Sequence, residues 1–495
     1  MATRPEPVTA PSAALLEAVV DRVSRPDFRR FEAQLRSSGY CQKPVLLAGR
    51  VEVCDGGDTR RPVWSTDGEP DQVLRKACGN RREAVCKPCS ERYRGDAWQL
   101  IAAGLRGGKG VPESVAGHPT LFVSLTAPSF GAVHSLRRTK DGEPARCRPR
   151  RARECCPHGI PLGCPKHHDP DDPCLGEPLC RECFDYRGAV LWNNVMSELW
   201  RRTMIYLPRE LAAILGWTQR RLNEEVRVSY IKVAEYQARG LVHVHALIRL
   251  DRRMPAYRVD EVHAPARRFT AELLEQALRA AAENVSAPAP EELSGSPACW
   301  GEQLDVQRLD GNADERGRRA SYLAKYSTKG TEQAGGLPYR VRRDGLDRLP
   351  VREHVRELVG QAFHLADEDT EGRRRLAPCA HMFGYRGHCL SKSRRWSTTF
   401  KALREARELH VREQLAKHGT DAVQRALAEA EPEDRIGEFS FVGLGHLTSA
   451  DAYLAAQAAA SARERREAGR EARFDHHNGG GRTRWPQTPP EVMAA

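Results

Sequence analysis

The sequence predicts an α+β protein with an antiparallel strand pair at its centre. Three observations predict it: a hairpin pattern at Val226–Leu250, an apolar strand at Leu121–Leu125, and helix-period stretches around them. In the hairpin, VRVSYIKVAEYQARGLVHVHALIRL, apolar and β-branched residues dominate both arms. Val242, Val244, Ala246 and Ile248 share one face of the second arm; His243, His245 and Leu247 share the other. Two imidazoles two residues apart on a strand point the same way and can grip one metal ion. A three-residue loop of Ala238, Arg239 and a left-handed Gly240 would set Glu235 opposite His243. Paired Cβ atoms lie within ~5 Å, so Glu235 would be a third, anionic ligand. A loop of two or four residues would turn it to the other face. The alternative is that the two histidines merely cap a sheet face.

The chain has 495 residues, a net charge of +12 and 29% charged residues. That length allows several domains. That charge favours a polyanionic partner, nucleic acid first; composition alone leaves open a soluble enzyme that happens to be basic. Glu17 and Asp21 interrupt the apolar run near the N-terminus, so no signal-peptide pattern forms. No stretch reaches the ~20 apolar residues of a membrane span. In a cytoplasmic chain the fifteen cysteines, several in C-x-x-C pairs, read as metal ligands rather than disulfides.

In chain order, residues 1–40 are Pro-rich and then helical. Residues 41–117 form an N-terminal zinc-binding region: Cys78, Cys86 and Cys89 have the spacing of three tetrahedral zinc ligands, with Cys54 or Cys41 as the fourth. Such a segment is too small and polar for its own core, and zinc would stabilise it. The strand at Leu121–Leu125 is followed by TAPSF, whose hydroxyls could lie beside a phosphate. A basic run, Arg137–Arg153, opens a Cys/His-rich insertion at about 140–190. There Cys180 and Cys183 pair as C-x2-C, and Cys156 and Cys164 could complete one zinc site. Cys155, His158, His167, His168 and Cys174 compete for the role. Residues 184–222 read as helix, as do 251–300 with a break at 286–290.

The segment ERGRRASYLAKYSTKGTE, 315–332, reads as a helix ended by Gly330. Tyr322 and Tyr326 lie four apart on one face, flanked by Lys325 and Lys329, with Arg316, Arg318 and Arg319 upstream as candidate DNA contacts. A phenol is a poor nucleophile at its ordinary pKa of ~10; nearby cations and a metal-bound phosphate make its attack feasible. Residues 336–400 form a basic region, with Lys392, Arg394 and Arg395 suited to phosphate contact. Residues 401–473 are amphipathic and helical, and the tail from 474 reads as disordered.

The ordered set of motifs resembles the rolling-circle replication initiators of actinobacterial plasmids and integrating elements (RepSA-like), a branch of the HUH endonucleases. Its carriers are CGNRREAVCKPC at 78–89, FVSLTAP at 122–128, CPHGIPLGC at 156–164 and GEPLCREC at 176–183. EYQARGLVHVHAL at 235–247, YLAKYSTKGTE at 322–332 and YRGHCLSKSRRWSTT at 385–399 complete the set. The resemblance covers about residues 41–470. It implies a central antiparallel sheet of HUH-endonuclease type with flanking helices, spanning 118–335, with the two histidines on central strands. It further implies magnesium or manganese at His243 and His245, Glu235 at a variable third-ligand position, and a tyrosine that forms a 5′-phosphotyrosine link to origin DNA and frees a 3′-hydroxyl. The family's K-Y-x-x-K motif matches Lys325-Tyr326-Ser327-Thr328-Lys329, which favours Tyr326 as nucleophile; Tyr322, one turn away, could act in a second transfer. The chain contains no GxxxxGK[ST] loop, so unwinding falls to a host helicase and synthesis to a host polymerase. A conjugative relaxase or HUH transposase shares these catalytic parts. A non-catalytic zinc-stabilised DNA-binding regulator would explain the charge and the cysteines but leaves HVH and KYSTK without a role.

Overall fold

The computed structural model describes residues 11–54, 60–149, 154–288, 297–309, 312–369, 371–372, 374–418 and 435–477. The end of the basic run and nearly all of the expected disordered tail lie outside them. The chain divides into two units, Met1–Asp96 with Thr399–Pro490 and Ala97–Thr398 with Glu491–Ala495. Among the described residues no helix is long and apolar enough to cross a membrane.

The first unit holds α1 (Ala13–Ser24) and α2 (Phe28–Ser37), then β1 (Val45–Cys54), β2 (Arg60–Ser65) and β3 (Leu74–Lys76). The side chain of Ser12 accepts from Leu15 N and starts α1. β1 pairs antiparallel with β2, with β3 and with a strand at Arg435–Leu444. That last strand corrects the expectation of helix throughout 401–473. RIGEFSFVGL is rich in β-branched and aromatic residues, and its two glycines disfavour helix. Helix remains on either side, at Phe400–His418 and Ser449–His477. A buried charge network joins the two ends of the chain. Arg22 meets Asp71 at 2.8 Å and Asp451 at 3.2 Å, Arg75 also pairs with Asp71, and both guanidinium groups lie over the Phe31 ring.

α3 (Lys87–Arg106) leads into the second unit. Its sheet contains β4 (Thr120–Leu125), β7 (Val226–Tyr236), β8 (Val242–Arg252), β9 (Leu304–Arg308) and β10 (Leu390–Lys392), in the order β10-β7-β8-β4-β9 and antiparallel throughout. A two-residue ladder, β5 (Arg137–Arg138) with β6 (Pro144–Ala145), lies in the insertion. The helices are α4 (Tyr186–Ile214), α5 (Gln219–Glu225), α6 (Ala271–Asn284), α7 (Ala313–Tyr326) and α8 (Glu353–Glu368). Asp185, Thr218, Thr270 and Asn312 cap α4 to α7 with side-chain oxygens.

The sheet's two faces differ as the alternation predicts. Val242, Val244, Ala246 and Ile248 of β8, with Leu121, Val123 and Leu125 of β4, join one core cluster with Leu199 of α4 and Leu274 and Leu278 of α6. Burial of each large aliphatic side chain contributes ~1.5–3 kcal/mol. The other face is polar. Arg249 Nε donates to Asp251 Oδ1 at 2.7 Å, His118 Nδ1 donates to the same oxygen at 2.8 Å, and Ser229 Oγ donates to Oδ2 at 2.6 Å. Arg249 also reaches Gly104 O, which ties the end of α3 to the sheet.

Burial alone would raise the Asp251 pKa; the His118 hydrogen bond and the Arg249 charge outweigh it and bring it down to about 2. The pKa is depressed on folding. Its stabilisation is therefore complete above the unfolded value of ~4 and is lost as pH falls through about 2. Asp251→Ala leaves buried Arg249 uncompensated and is expected to lower stability by ~3–5 kcal/mol in urea unfolding at pH 7. A loss under ~1 kcal/mol would show that the network contributes little.

Candidate active site and metal centres

The loop of the central hairpin is Ala238, Arg239 and Gly240, and Glu235 pairs with His243 across it. Gly240 is left-handed at φ +80°, and a Cβ there would collide with Leu358. Each loop carbonyl has its own donor: Arg352 for Ala238 O (3.1 Å), His354 for Arg239 O (3.1 Å) and Asn193 for Gly240 O (3.0 Å). Asn193 Oδ1 also accepts from Val242 N at 3.0 Å. Arg239 donates to Ala127 O and Pro128 O, both at 3.0 Å. The segment after β4 thus holds the hairpin loop in place.

His243 and His245 stack with ring centroids 4.5 Å apart. Ser124 Oγ lies 2.9 Å from His245 Nδ1 and Gln237 Nε2 lies 3.3 Å from His243 Nδ1. The Ser124 hydroxyl can accept from His245 Nδ1–H, which leaves the Nε2 lone pair facing the site; at His243 the same tautomer requires the Gln237 amide turned so that its oxygen faces Nδ1. Burial, then the charge of His245, lowers the His243 pKa to about 3; burial lowers that of His245 to about 4. Both rings are therefore neutral at pH 7 and able to act as ligands. Burial raises the Glu235 carboxyl to about 7, and its Oε2 lies 3.1 Å from His245 Nε2. The Nε2 of His243 is buried without a hydrogen-bond partner. That orphaned atom, beside a second neutral imidazole and a carboxylate, fits a divalent cation. These three donors are not among the groups of the described residues whose ligand atoms all fall within 4.8 Å of one another, as those of the cysteine-rich groups below do.

α7 brings the two tyrosines onto this face. Tyr322 meets His245 edge-on at 5.3 Å and Phe122 at 5.7 Å. Tyr326 lies 5.5 Å from His245 and 4.6 Å from Tyr322 between ring centroids. Burial, then Tyr326, pushes the Tyr322 phenol well above its usual range. Lys329 Nζ lies 4.7 Å from the Tyr326 ring centroid and donates to Gln333 Oε1 at 2.8 Å; Lys325 is exposed. The helix ends at Tyr326 rather than at Gly330. The Ser327 and Thr328 hydroxyls donate to the Ala324 and Lys325 carbonyls and close its last turn.

The basic residues divide. Arg316 corrects the expectation of a DNA contact: it is buried and donates to Leu105 O at 3.3 Å and Leu309 O at 3.1 Å. Arg319 lies over Phe122 and pairs with Gln307 and Glu315. Lys392 donates to Ser397 O at 2.8 Å, closing the turn that follows β10, and Arg395 pairs with Asp260. Arg318 and Arg394 face solvent.

Among the described residues, three tetrads of Cys and His could hold a metal such as zinc. The first is Cys41, Cys78, Cys86 and Cys89. Cys54 is corrected out of it, because it ends β1 opposite Arg60. Backbone N–H groups of Gln42 and Cys78 reach the sulfurs of Cys86 and Cys41 at 3.4 and 3.3 Å. The insertion, with His134 from just before it, holds two tetrads where one was expected: Cys156, His158, Cys180 and Cys183, and His134, Cys147, Cys164 and His168. The Arg148–Cys164 bridge carries Cys164 toward Cys147. The turn Cys156–Ile160, with Gly159 left-handed at φ +75°, brings His158 to within 3.9 Å of Cys156 and so into the place assigned to Cys164. His168 Nδ1 donates to Asp172 Oδ2 at 2.7 Å, the second-layer carboxylate that orients a metal-bound imidazole. His134 and Cys147 have no short-range motif around them; C-x3-H at Cys164 and His168 was the available signal.

A basic chain with neutral imidazoles, a carboxylate and phenols on one antiparallel face belongs to the class of proteins that act at the start of DNA replication, as its relatives show. The family described as "Replication initiator protein, pSAM2" matches residues 27–460. The chain is 40% identical over 464 residues to a replication initiator protein of Streptomyces ambofaciens, covering 91% of this chain and 94% of that one. It belongs to the RepSA replication initiator family. No solved structure matches it.

Elemental analysis of the folded protein is expected to find about three zinc ions per chain, one per tetrad. Cys86→Ser should lower stability by several kcal/mol in thermal unfolding, whereas Cys54→Ser should change it by under ~0.5 kcal/mol. Zinc-free folded protein, or equal losses in the two variants, would contradict this ligand assignment.

Proposed function

We propose that the protein initiates rolling-circle replication as a site-specific single-strand DNA endonuclease and strand transferase of the HUH type, with Tyr326 as nucleophile. The observation that supports this most is the convergence of Tyr322 and Tyr326 on His245, which joins two motifs far apart in the chain. Origin DNA, single-stranded or as a hairpin, binds through phosphate contacts to the basic surface, where exposed Arg318 and Arg394 are available.

His243 and His245, with Glu235 as third ligand, would hold the cation, magnesium or manganese. That cation, when bound, supplies Lewis-acid polarisation of the scissile phosphodiester. Tyr326 Oη attacks the phosphorus, loses its proton and forms the 5′-phosphotyrosine bond; the departing oxygen becomes the 3′-hydroxyl used by a host polymerase. Lys329 beside the ring offsets charge that develops on the phenol and the phosphate. The phosphotyrosine bond conserves the free energy of the broken phosphodiester, so a later 3′-hydroxyl can displace the tyrosine and rejoin the strand. Tyr322 is the poorer first nucleophile, because burial and Tyr326 disfavour its phenolate. Its role in this reading is a second transfer.

His243→Ala and His245→Ala should each slow nicking of origin single strands in Mn²⁺ by ~10³-fold or more. Salt-sensitive DNA binding, which rests on many phosphate contacts, should stay within ~3-fold of wild type. On denaturing gels Tyr326→Phe should yield no cleaved strand, and Tyr322→Phe should retain the first cleavage. Near wild-type nicking by either histidine variant would sink the metal-site reading; first cleavage lost only in Tyr322→Phe would reverse the tyrosine roles.

A further inference from the structure

The second unit has a cavity of about 660 Å³ against α4 and the β7–β10 edge of the sheet, on the side away from the histidines. The register fixes that side: Lys232 pairs with Ala246, whose neighbours His243 and His245 point the other way. The volume lies in the ~300–1,000 Å³ range of small-ligand sites. The lining contains no carboxylate. Trp200, Met204 and Tyr230 form an apolar surface, and Lys232, Arg201, Arg375 and Arg386 supply cations.

Lys232 is the informative residue. It is 4% exposed, and its Nζ lies 5.9 Å from the centroid of the Trp200 ring. Among the described residues no carboxylate pairs with it. A buried ammonium without an anion is costly, and burial lowers its pKa to about 8. An anion entering the cavity would remove that cost. Arg375 and Arg386 are exposed at the rim, and their field, with that of Arg340, reaches the Cys379 thiol on the wall. Arg201 is engaged with Glu198 at 2.7 Å and contributes less. Trp200 and Tyr230 meet edge-to-face at 74°, and this aromatic corner beside a buried cation matches a ligand with a planar ring and a phosphate.

We infer that this cavity is a nucleoside-phosphate subsite, with phosphate on Lys232 and the rim arginines and the base against Trp200 and Tyr230. The phosphate could belong to a free nucleotide or to one nucleotide of a bound DNA strand. The inference does not depend on strand cleavage, since the site is on the opposite side of the sheet from Tyr326.

The test uses the full-length protein with its bound metals. Equilibrium dialysis measures binding of thymidine 5′-monophosphate, thymidine and inorganic phosphate to wild type, Lys232→Met and Arg386→Glu. Methionine matches lysine in volume and removes an unpaired buried charge, so Lys232→Met should fold; Arg386 is exposed, and its variant guards against any repacking near Trp200. The expected result is saturable binding of the monophosphate, weakened about tenfold or more by loss of the nucleoside, of the phosphate, of Lys232 or of Arg386. The source is then assigned by photocrosslinking a 5-iodouracil single strand. Adducts on the Trp200 or Tyr230 peptides, competed by the monophosphate, identify a strand nucleotide; monophosphate binding without such adducts identifies a free nucleotide. No monophosphate binding, equal affinity for inorganic phosphate, or binding unchanged in both variants would overturn the inference.

Discussion

The register of the central hairpin is the constraint on which the site depends. Side chains on a strand alternate with period two, so a slip of one residue would turn His243 and His245 into the apolar core and expose Val242 and Val244. The protein fixes that register at the loop. Gly240 supplies the left-handed turn, and Arg352, His354 and Asn193 each satisfy one loop carbonyl. Because these donors come from α4, α8 and the residue preceding α8, the helices packed on one side of the sheet determine which residues face the other. Packing and candidate chemistry are coupled through a three-residue turn.

The same sheet separates two electrostatic environments. Around the histidines burial keeps imidazoles neutral and raises the Glu235 carboxyl, which suits groups that bind a cation. Further along β8, Asp251 stays ionised because Arg249, His118 and Ser229 enclose it, and that cluster anchors α3 through Gly104. One strand thus carries a closed structural network at one end and an open ligand set at the other. His243 Nε2, lacking a partner, marks the open end.

Local patterns were legible in the sequence, and long-range partners were not. The hairpin, the paired tyrosines and the C-x2-C pairs depend on spacings of a few residues, and each stands where spacing implied. The division of cysteines among tetrads depends on bridges such as Arg148–Cys164 that close only in the folded chain. Cys41 and Cys54 were equivalent by spacing; only the extension of β1 carries Cys54 away from the others. The strand Arg435–Leu444 pairs with β1 from the far end of the chain, and a charged helical context on both sides masked its β-branched and aromatic content. The charge of Arg316 implies a DNA contact, but a helix must bury one side, and Arg316 lies on that side. The backward hydrogen bonds of Ser327 and Thr328 similarly ended α7 before the glycine that signalled its end.

The central claim is that the phenol of Tyr326 and the His243–His245 face act on one phosphodiester. It is tested most directly by cleaving origin single strands in Mn²⁺, digesting the covalent complex with protease and nuclease, and mapping the nucleotide-bearing peptide by mass spectrometry. The account predicts a 5′-linked nucleotide on Tyr326, formed in wild type and absent in His243→Ala. A linkage at any residue off α7, or cleavage with no covalent protein–DNA species, would contradict it.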